Sequence, residues 1–276
     1  MKRFLFTLVE LLCMTLVCAY AQKPISRKNI KKENNSNKLQ LTAENRKRIM
    51  SELEANMIRV DGGTFVMDAP TKVEETWGGS PKPHQVTLSP FFINKYEVTQ
   101  ELWQAVMGTN PSKHKGPRKP VERISYNDIQ GFLNKLNKLT GKNYRLPTNA
   151  EWEFAARGGN KSKGYSYPGS DNLSLVGWFD ENSGNKTHDV GTKKPNEIGI
   201  YDMAGNVEEW CYDWAGEYST KPQTNPTGPT SGEYRISRGG FYCSSYHYCL
   251  VSCTSVSAPH DKGDHVGFRL ACSDSH

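Results

Sequence analysis

Cys211, Cys243, Cys249, Cys253 and Cys272 all fall in the last quarter of a 276-residue chain. Thiols gathered this way pair as disulfides, hold a soft metal ion or react as nucleophiles. Two more cysteines, Cys13 and Cys18, sit in an N-terminal segment that export would remove, so an odd number is left. A disulfide among Cys243, Cys249 and Cys253, or from one of them to Cys211 or Cys272, is the structural expectation. A retained metal or redox pair is the functional one. His247, His260 and His265 lie close in sequence to these thiols, but their spacings fit no common zinc pattern and they are read as loop histidines.

The compartment decides which use prevails. Met1-Lys2-Arg3, an apolar stretch from Phe4 to Val17 and the end Ala19-Tyr20-Ala21 have the form of a secretory signal peptide over 1–21. The chain is therefore expected to be exported, to the periplasm, the cell surface or the medium, with no integral membrane segment after processing. Loss of Lys2, Arg3 and Glu10 takes 35 basic and 29 acidic residues to 33 and 28, a mild excess. Much of it lies in the polar, Asn- and Lys-rich run of 22–56, expected to be a basic tail ending in a lead-in helix. Nucleic acid is not implied as a partner.

One domain over 57–272 has to position the thiols. Met57-Ile58-Arg59-Val60 and Thr64-Phe65-Val66-Met67, flanking Asp61-Gly62-Gly63, predict two strands of a hairpin, with further strands at 85–88 and 91–93. Helices are predicted behind Thr42, behind Thr99, behind Ser125 or Asn127 with a stop at Gly141, and behind Thr148, where Glu151 completes a capping box. Beyond Gly158 the sequence turns rich in Gly, Asn, Ser, Asp and Pro, which predicts long loops with brief strands. Loops of that extent need pins, and disulfides, bound ions and buried aromatic or charged residues can supply them.

Several segments, taken in order, carry a family resemblance. They are Val60-Asp61-Gly62-Gly63-Thr64-Phe65, Tyr96-Glu97-Val98-Thr99, Arg145-Leu146-Pro147-Thr148-Asn149-Ala150-Glu151-Trp152-Glu153, Gly199-Ile200-Tyr201-Asp202-Met203-Ala204-Gly205-Asn206-Val207, Arg238-Gly239-Gly240 and Gly267-Phe268-Arg269. The ordered set resembles the formylglycine-generating enzyme, or sulfatase-modifying factor, family. That resemblance implies an α+β, C-type-lectin-like, loop-rich fold with little regular secondary structure. It also implies a calcium ion held at positions corresponding to Asp202, Gly205, Val207 and Glu209, a hard oxygen set that suits calcium. A second family calcium site would fall at 176–184, where Val176 replaces a side-chain ligand and Asn182 remains.

Enzymes of the family oxidise a sulfatase cysteine to formylglycine with oxygen and a copper(I) ion between two thiolates. The resemblance places Cys249 on the second of these, preceded by a matching Tyr248. The first position holds Ser244, and the nearest thiol, Cys243, is one residue early. Neighbouring side chains on an extended segment point to opposite sides, so Cys243 is expected to face away from Cys249 unless a bulge re-aims it. Phe241 stands where the family has serine, and Glu208 where it has tryptophan. Two functions follow: a copper-dependent formylglycine-generating oxidoreductase acting on a sulfatase polypeptide, or a non-catalytic, calcium-pinned module that binds an envelope protein or ligand.

Overall fold

The computed structural model describes residues 43–75, 82–217 and 220–274. The expected signal peptide, the tail up to residue 42 and Thr42 itself lie outside the described residues. Among the described residues, four helices reach eight residues or more: α1 (Ala43–Ala55), α2 (Gln100–Met107), α3 (Tyr126–Thr140) and α4 (Asn149–Ala156). No helix of the described residues is long and apolar enough to cross a membrane.

The caps form as their sequences dictate. Thr99 accepts from the Leu102 amide, and Gly108 closes α2 in the left-handed region. Of the two caps weighed for α3, Ser125 is used, in a capping box with Asp128, and Gly141 ends the helix. Thr148 and Glu151 make the second box at the start of α4. The buried face of α3 packs Phe132 flat on Trp103 of α2, ring centroids 5.1 Å apart, with Phe268 edge-on to both.

Among the described residues, ten short strands make three sheets: β1 (Met57–Val60), β2 (Gly63–Met67), β3 (His84–Leu88), β4 (Phe91–Asn94), β5 (Glu208–Trp214), β6 (Gln223–Thr224), β7 (Arg235–Arg238), β8 (Thr254–Ser257), β9 (Val266–Gly267) and β10 (Ala271–Ser273). Their orders are β1-β4-β10, β2-β3-β6 and β8-β7-β5-β9. The predicted hairpin does not form. β1 pairs with β4, and β2 pairs with β3, each antiparallel. The cause is the glycine turn. A Cβ on Gly62 would stand 2.4 Å from the Leu88 carbonyl oxygen and 2.8 Å from the Pro90 nitrogen, so the turn is pressed against its counterpart at 88–90. Each turn therefore hands its chain from one sheet to another.

Residues 159–207 connect α4 to β5 almost entirely through turns and loops. Buried charge and aromatic packing hold them, in place of the expected disulfides, since none of the five described cysteines is in a disulfide. Placement separates most of them. Cys211 belongs to a core cluster with Trp152 and Ile236, Cys272 packs against the cluster around Trp103, and Cys249 and Cys253 belong with Tyr167 and Phe179.

Candidate functional site

The Arg238-Gly239-Gly240 segment leaves β7 and turns under the 3₁₀ turn Tyr246–Cys249. Arg238, 1% exposed, fixes the approach from below. Its guanidinium donates to Glu153 at 2.8 Å, to Asn149, and to the carbonyls of Val251 and Cys253 at 3.2 Å. The backbone after Cys249 is thereby tied to the core. Gly239 and Gly240 take φ of +97° and +66°, and a Cβ on Gly240 would stand 2.8 Å from the Cys249 sulfur. Only glycine lets the thiol sit so close beneath the chain.

Cys249 is fully buried, and its sulfur faces the Ser244 hydroxyl at 3.8 Å. Ser244 is 5% exposed and also accepts from the Phe241 amide at 2.9 Å. Cys243 is exposed. Tyr248 points outward at 51% exposure, away from the buried sulfur beside it in the turn. The structure thus brings Ser244 and Cys249 together and leaves Cys243 and Tyr248 on the surface. Burial pushes the Cys249 thiol up to about 12, with the Ser244 hydrogen bond opposing and Cys253 adding to the rise. Burial and Asp264 push Cys243 up as well, against Tyr242 and Lys113.

The other two departures, Phe241 and Glu208, both lie beside His265. The Phe241 ring lies 4.4 Å from the His265 ring, and Glu208, 5% exposed, is held by its amide to the His265 carbonyl at 2.8 Å. Burial pushes the Glu208 carboxyl up. His247 and His260 are placed apart from the buried thiol: His247 lies against Tyr246 in the exposed turn, and His260 is 80% exposed beside Asp261.

A copper(I) ion needs two soft, convergent donors. At the family's first position the sulfur of Cys249 meets a hard hydroxyl oxygen, so the Ser244–Cys249 pair does not fit the ion.

The second candidate centre lies where β5 begins. Glu209, Asp202 and Glu97 are all buried, at 1%, 3% and 1% exposure, with Arg269 at 0% among them. Arg269 grips Glu209 through both carboxylate oxygens, at 2.5 and 2.6 Å, and the Trp152 indole donates to Glu209 at 2.7 Å. Glu97 accepts from the Asn206 side chain at 2.6 Å and the Val207 amide at 3.1 Å. Asp202, at φ +58°, accepts from the Gly191 amide with one oxygen, while the other, Oδ1, is buried with no hydrogen-bond partner among the described residues. Gly205 brings its backbone against Trp178; a Cβ there would stand 2.0 Å from the Trp178 carbonyl oxygen.

Three carboxylates surround one guanidinium, an excess of two negative charges if all ionise. Burial, Asp202 and Glu209 push Glu97 well up, and burial pushes Asp202 to about 6. An orphaned carboxylate oxygen in such surroundings fits a divalent cation, with the Gly205 and Val207 backbones alongside. Glu209, the fourth expected ligand, has both oxygens committed. Among the described residues no group of three or more His, Cys, Asp and Glu side chains is arranged to hold a metal, so an ion here depends on backbone oxygens. Asn182 is spent locally, accepting from the Phe179 amide at 2.9 Å and donating to the Gly177 carbonyl at 3.0 Å. Glu97 and Arg269 were missed as site residues. The signal was a charged residue inside an apolar run, Tyr96-Glu97-Val98 and Phe268-Arg269-Leu270, which demands a buried partner.

Residues 42–273 match the family model described as a sulfatase-modifying factor enzyme 1-like domain. The chain belongs to the sulfatase-modifying factor family. Its α+β, C-type-lectin-like fold is the family's, and the lead-in helix α1 lies inside the matched range. The family member is similar to the chaperone protein LppX of Paenibacillus barcinonensis, 35% identical over 268 residues that cover 79% of this chain and 89% of that protein. It is also similar to the formylglycine-generating enzyme of Streptomyces coelicolor, 33% identical over 202 residues that cover 66% of this chain and 61% of the enzyme. Among solved structures, Treponema denticola variable protein 1 aligns with a TM-score of 0.71 at 32% identity, covering 79% of this chain and 94% of the other.

The two thiols at the pocket are expected to differ in reactivity. A maleimide applied to the native protein should label Cys243 at once and Cys249 only after denaturation, because the first is exposed and the second buried. Peptide mapping reads this, and equal labelling of both in the native protein would contradict the burial of Cys249.

Proposed function

We propose that this chain is an exported sulfatase-modifying factor protein that has given up copper-dependent oxidation of a sulfatase cysteine and serves as a calcium-pinned binding module of the cell envelope. One observation carries the loss of catalysis. The side chain 3.8 Å from the Cys249 sulfur belongs to Ser244 and is a hydroxyl. Cys243 is on the surface, and the Phe241 ring lies tilted against that of His265. The similarity to a protein named as a chaperone, alongside formylglycine-generating enzymes, supports a family that does more than one task. Titration of the reduced protein with copper(I) in the presence of a chromogenic copper(I) chelator tests the reading. The chelator should keep the metal, and one copper per chain held against it would overturn the proposal.

The calcium reading rests on Asp202 Oδ1 and on the excess of buried carboxylates around Arg269. Calcium bound to the native state stabilises it by mass action, by about 2.7 kcal/mol at a hundredfold excess over Kd. The melting temperature in millimolar calcium should exceed that in EDTA by several degrees, and Asp202→Ala should remove the difference. Identical melting with and without calcium would sink this part of the reading and leave the loss of copper untouched.

A further inference from the structure

Two lysine-rich loops lie side by side next to the thiol pocket. Residues 113–119 carry Lys113, Lys115, Arg118 and Lys119 with no acidic residue, and residues 186–194 carry Lys186, Lys193 and Lys194 against Asp189 alone. The Val190 amide donates to the Arg118 carbonyl at 3.0 Å, which joins the loops into one strip. One end reaches the pocket, where His114 stands edge-on to Tyr242 with centroids 5.0 Å apart. His188 is fixed beside it: its amide donates to the Asn206 side chain at 2.8 Å, and the Tyr242 amide donates to the Asn206 carbonyl at 3.0 Å. Lys119 lies close to both histidines: with burial as the larger cause, it helps hold His114 and His188 below the ordinary imidazole range.

Part of this charge is used internally. Lys113 pairs with Asp264 at 2.5 Å, and Arg118 with Glu52 at 2.5 Å. Lys115, Lys119, Lys186 and Lys194 enter no salt bridge among the described residues, and Lys115, Lys186 and Lys194 are exposed. We propose that the strip binds an extended anionic polysaccharide whose sulfate or carboxylate groups recur along its length.

The chemistry of the strip selects that class. Its charges outside salt bridges are lysines, hydrated point charges on flexible stems that suit a diffuse polyanion better than one oriented phosphate or carboxylate. Nucleic acid would want an open aromatic face for its bases. The one tryptophan here, Trp178, carries the His188 ring at 3.7 Å and the Lys193 ammonium at 3.9 Å, so its ring is already stacked. An acidic peptide would gain from a strand edge, and neither loop contains a strand. The partner class rests on the binding-module reading above, and the copper titration tests that reading separately.

The test uses heparin as the sulfated probe and polygalacturonate as the carboxylated one, by calorimetry at low and physiological salt. Wild-type protein should bind at least one of them, more weakly as salt rises. The Lys119→Glu/Lys186→Glu double variant should bind about tenfold or more weakly, as expected for two reversed charges in contact with a polyanion. Lys135→Glu/Lys138→Glu, the same change in net charge on exposed positions of α3, should bind as wild type does. Melting curves check that each variant is folded, and Lys119→Gln/Lys186→Gln replaces the first pair if it melts early. No binding of either polysaccharide at low salt would overturn the proposal. So would equal weakening by both charge reversals, or binding of a poly-glutamate peptide as tight as that of heparin.

Discussion

Ser244→Cys should give the chain a tight hold on copper(I) that the wild type is expected to lack. The substitution places a second sulfur where a hydroxyl now stands 3.8 Å from Cys249, at a position only 5% exposed, with Gly240 and the Arg238 clamp already shaping the pocket. A serine-to-cysteine change adds little volume, so the surroundings need shift little. The gain is in kind, because two thiolates satisfy a cuprous ion and a thiolate with a hydroxyl does not. Competition against a copper(I) chelator should show one tightly held copper per chain, with the sulfur-to-copper absorption in the near ultraviolet. Adding Cys249→Ala to this variant should abolish both signals. Cys243→Ala should leave them intact, since that thiol is on the surface. Copper held equally by wild type and Ser244→Cys would show that Ser244 is not the missing ligand.

Arg269→Leu should be the most damaging single change to stability. The side chain is fully buried, makes two contacts of 2.5 and 2.6 Å to Glu209, and donates to the carbonyls of Asn94 at 3.1 Å and Tyr201 at 3.0 Å. Without it, Glu97, Asp202 and Glu209 are left as buried carboxylates with their compensating cation gone. Breaking a buried pair from one side costs about 3–5 kcal/mol, a large share of the 5–15 kcal/mol that holds a typical domain together. Urea unfolding should show a loss of that order. Glu209→Gln should cost less, because it removes a buried charge while keeping an acceptor for the Trp152 indole. A loss below about 1 kcal/mol for Arg269→Leu would mean that the cluster is neutral through protonation and does not depend on the arginine.

The local signals in the sequence were strong and the long-range ones weak. Thr99, Ser125 and Thr148 cap their helices because each needs only the following turn to act. The hairpin across Asp61-Gly62-Gly63 failed because alternation marks strands without saying which strand pairs with which, and the contact of Gly62 with Leu88 and Pro90 is made across 26 residues of chain or more. At the pocket the segment is a turn and not the extended run expected: the Ser244 amide closes it on the Phe241 carbonyl at 3.0 Å, which leaves Ser244 buried and Cys243 exposed at its corner. The cysteine count misled in the other direction. Five thiols suggest disulfides, yet Cys211 and Cys272 sit in two different core clusters, Cys249 and Cys253 share a third without bonding, and Cys243 is on the surface. Glu97 and Arg269 stood in plain view as motif letters, but only their packing shows that one carboxylate group was already neutralised by an arginine.

The central claim is that the thiol pocket no longer performs its family's oxidation. The direct measurement is to incubate the wild-type mature protein with copper(I), oxygen, a thiol reductant and a peptide bearing Cys-x-Pro-x-Arg, and to follow the peptide mass. The peptide's cysteine should remain unconverted, under conditions where an active formylglycine-generating enzyme converts it. Formation of the formylglycine peptide that requires Cys249 would contradict the account.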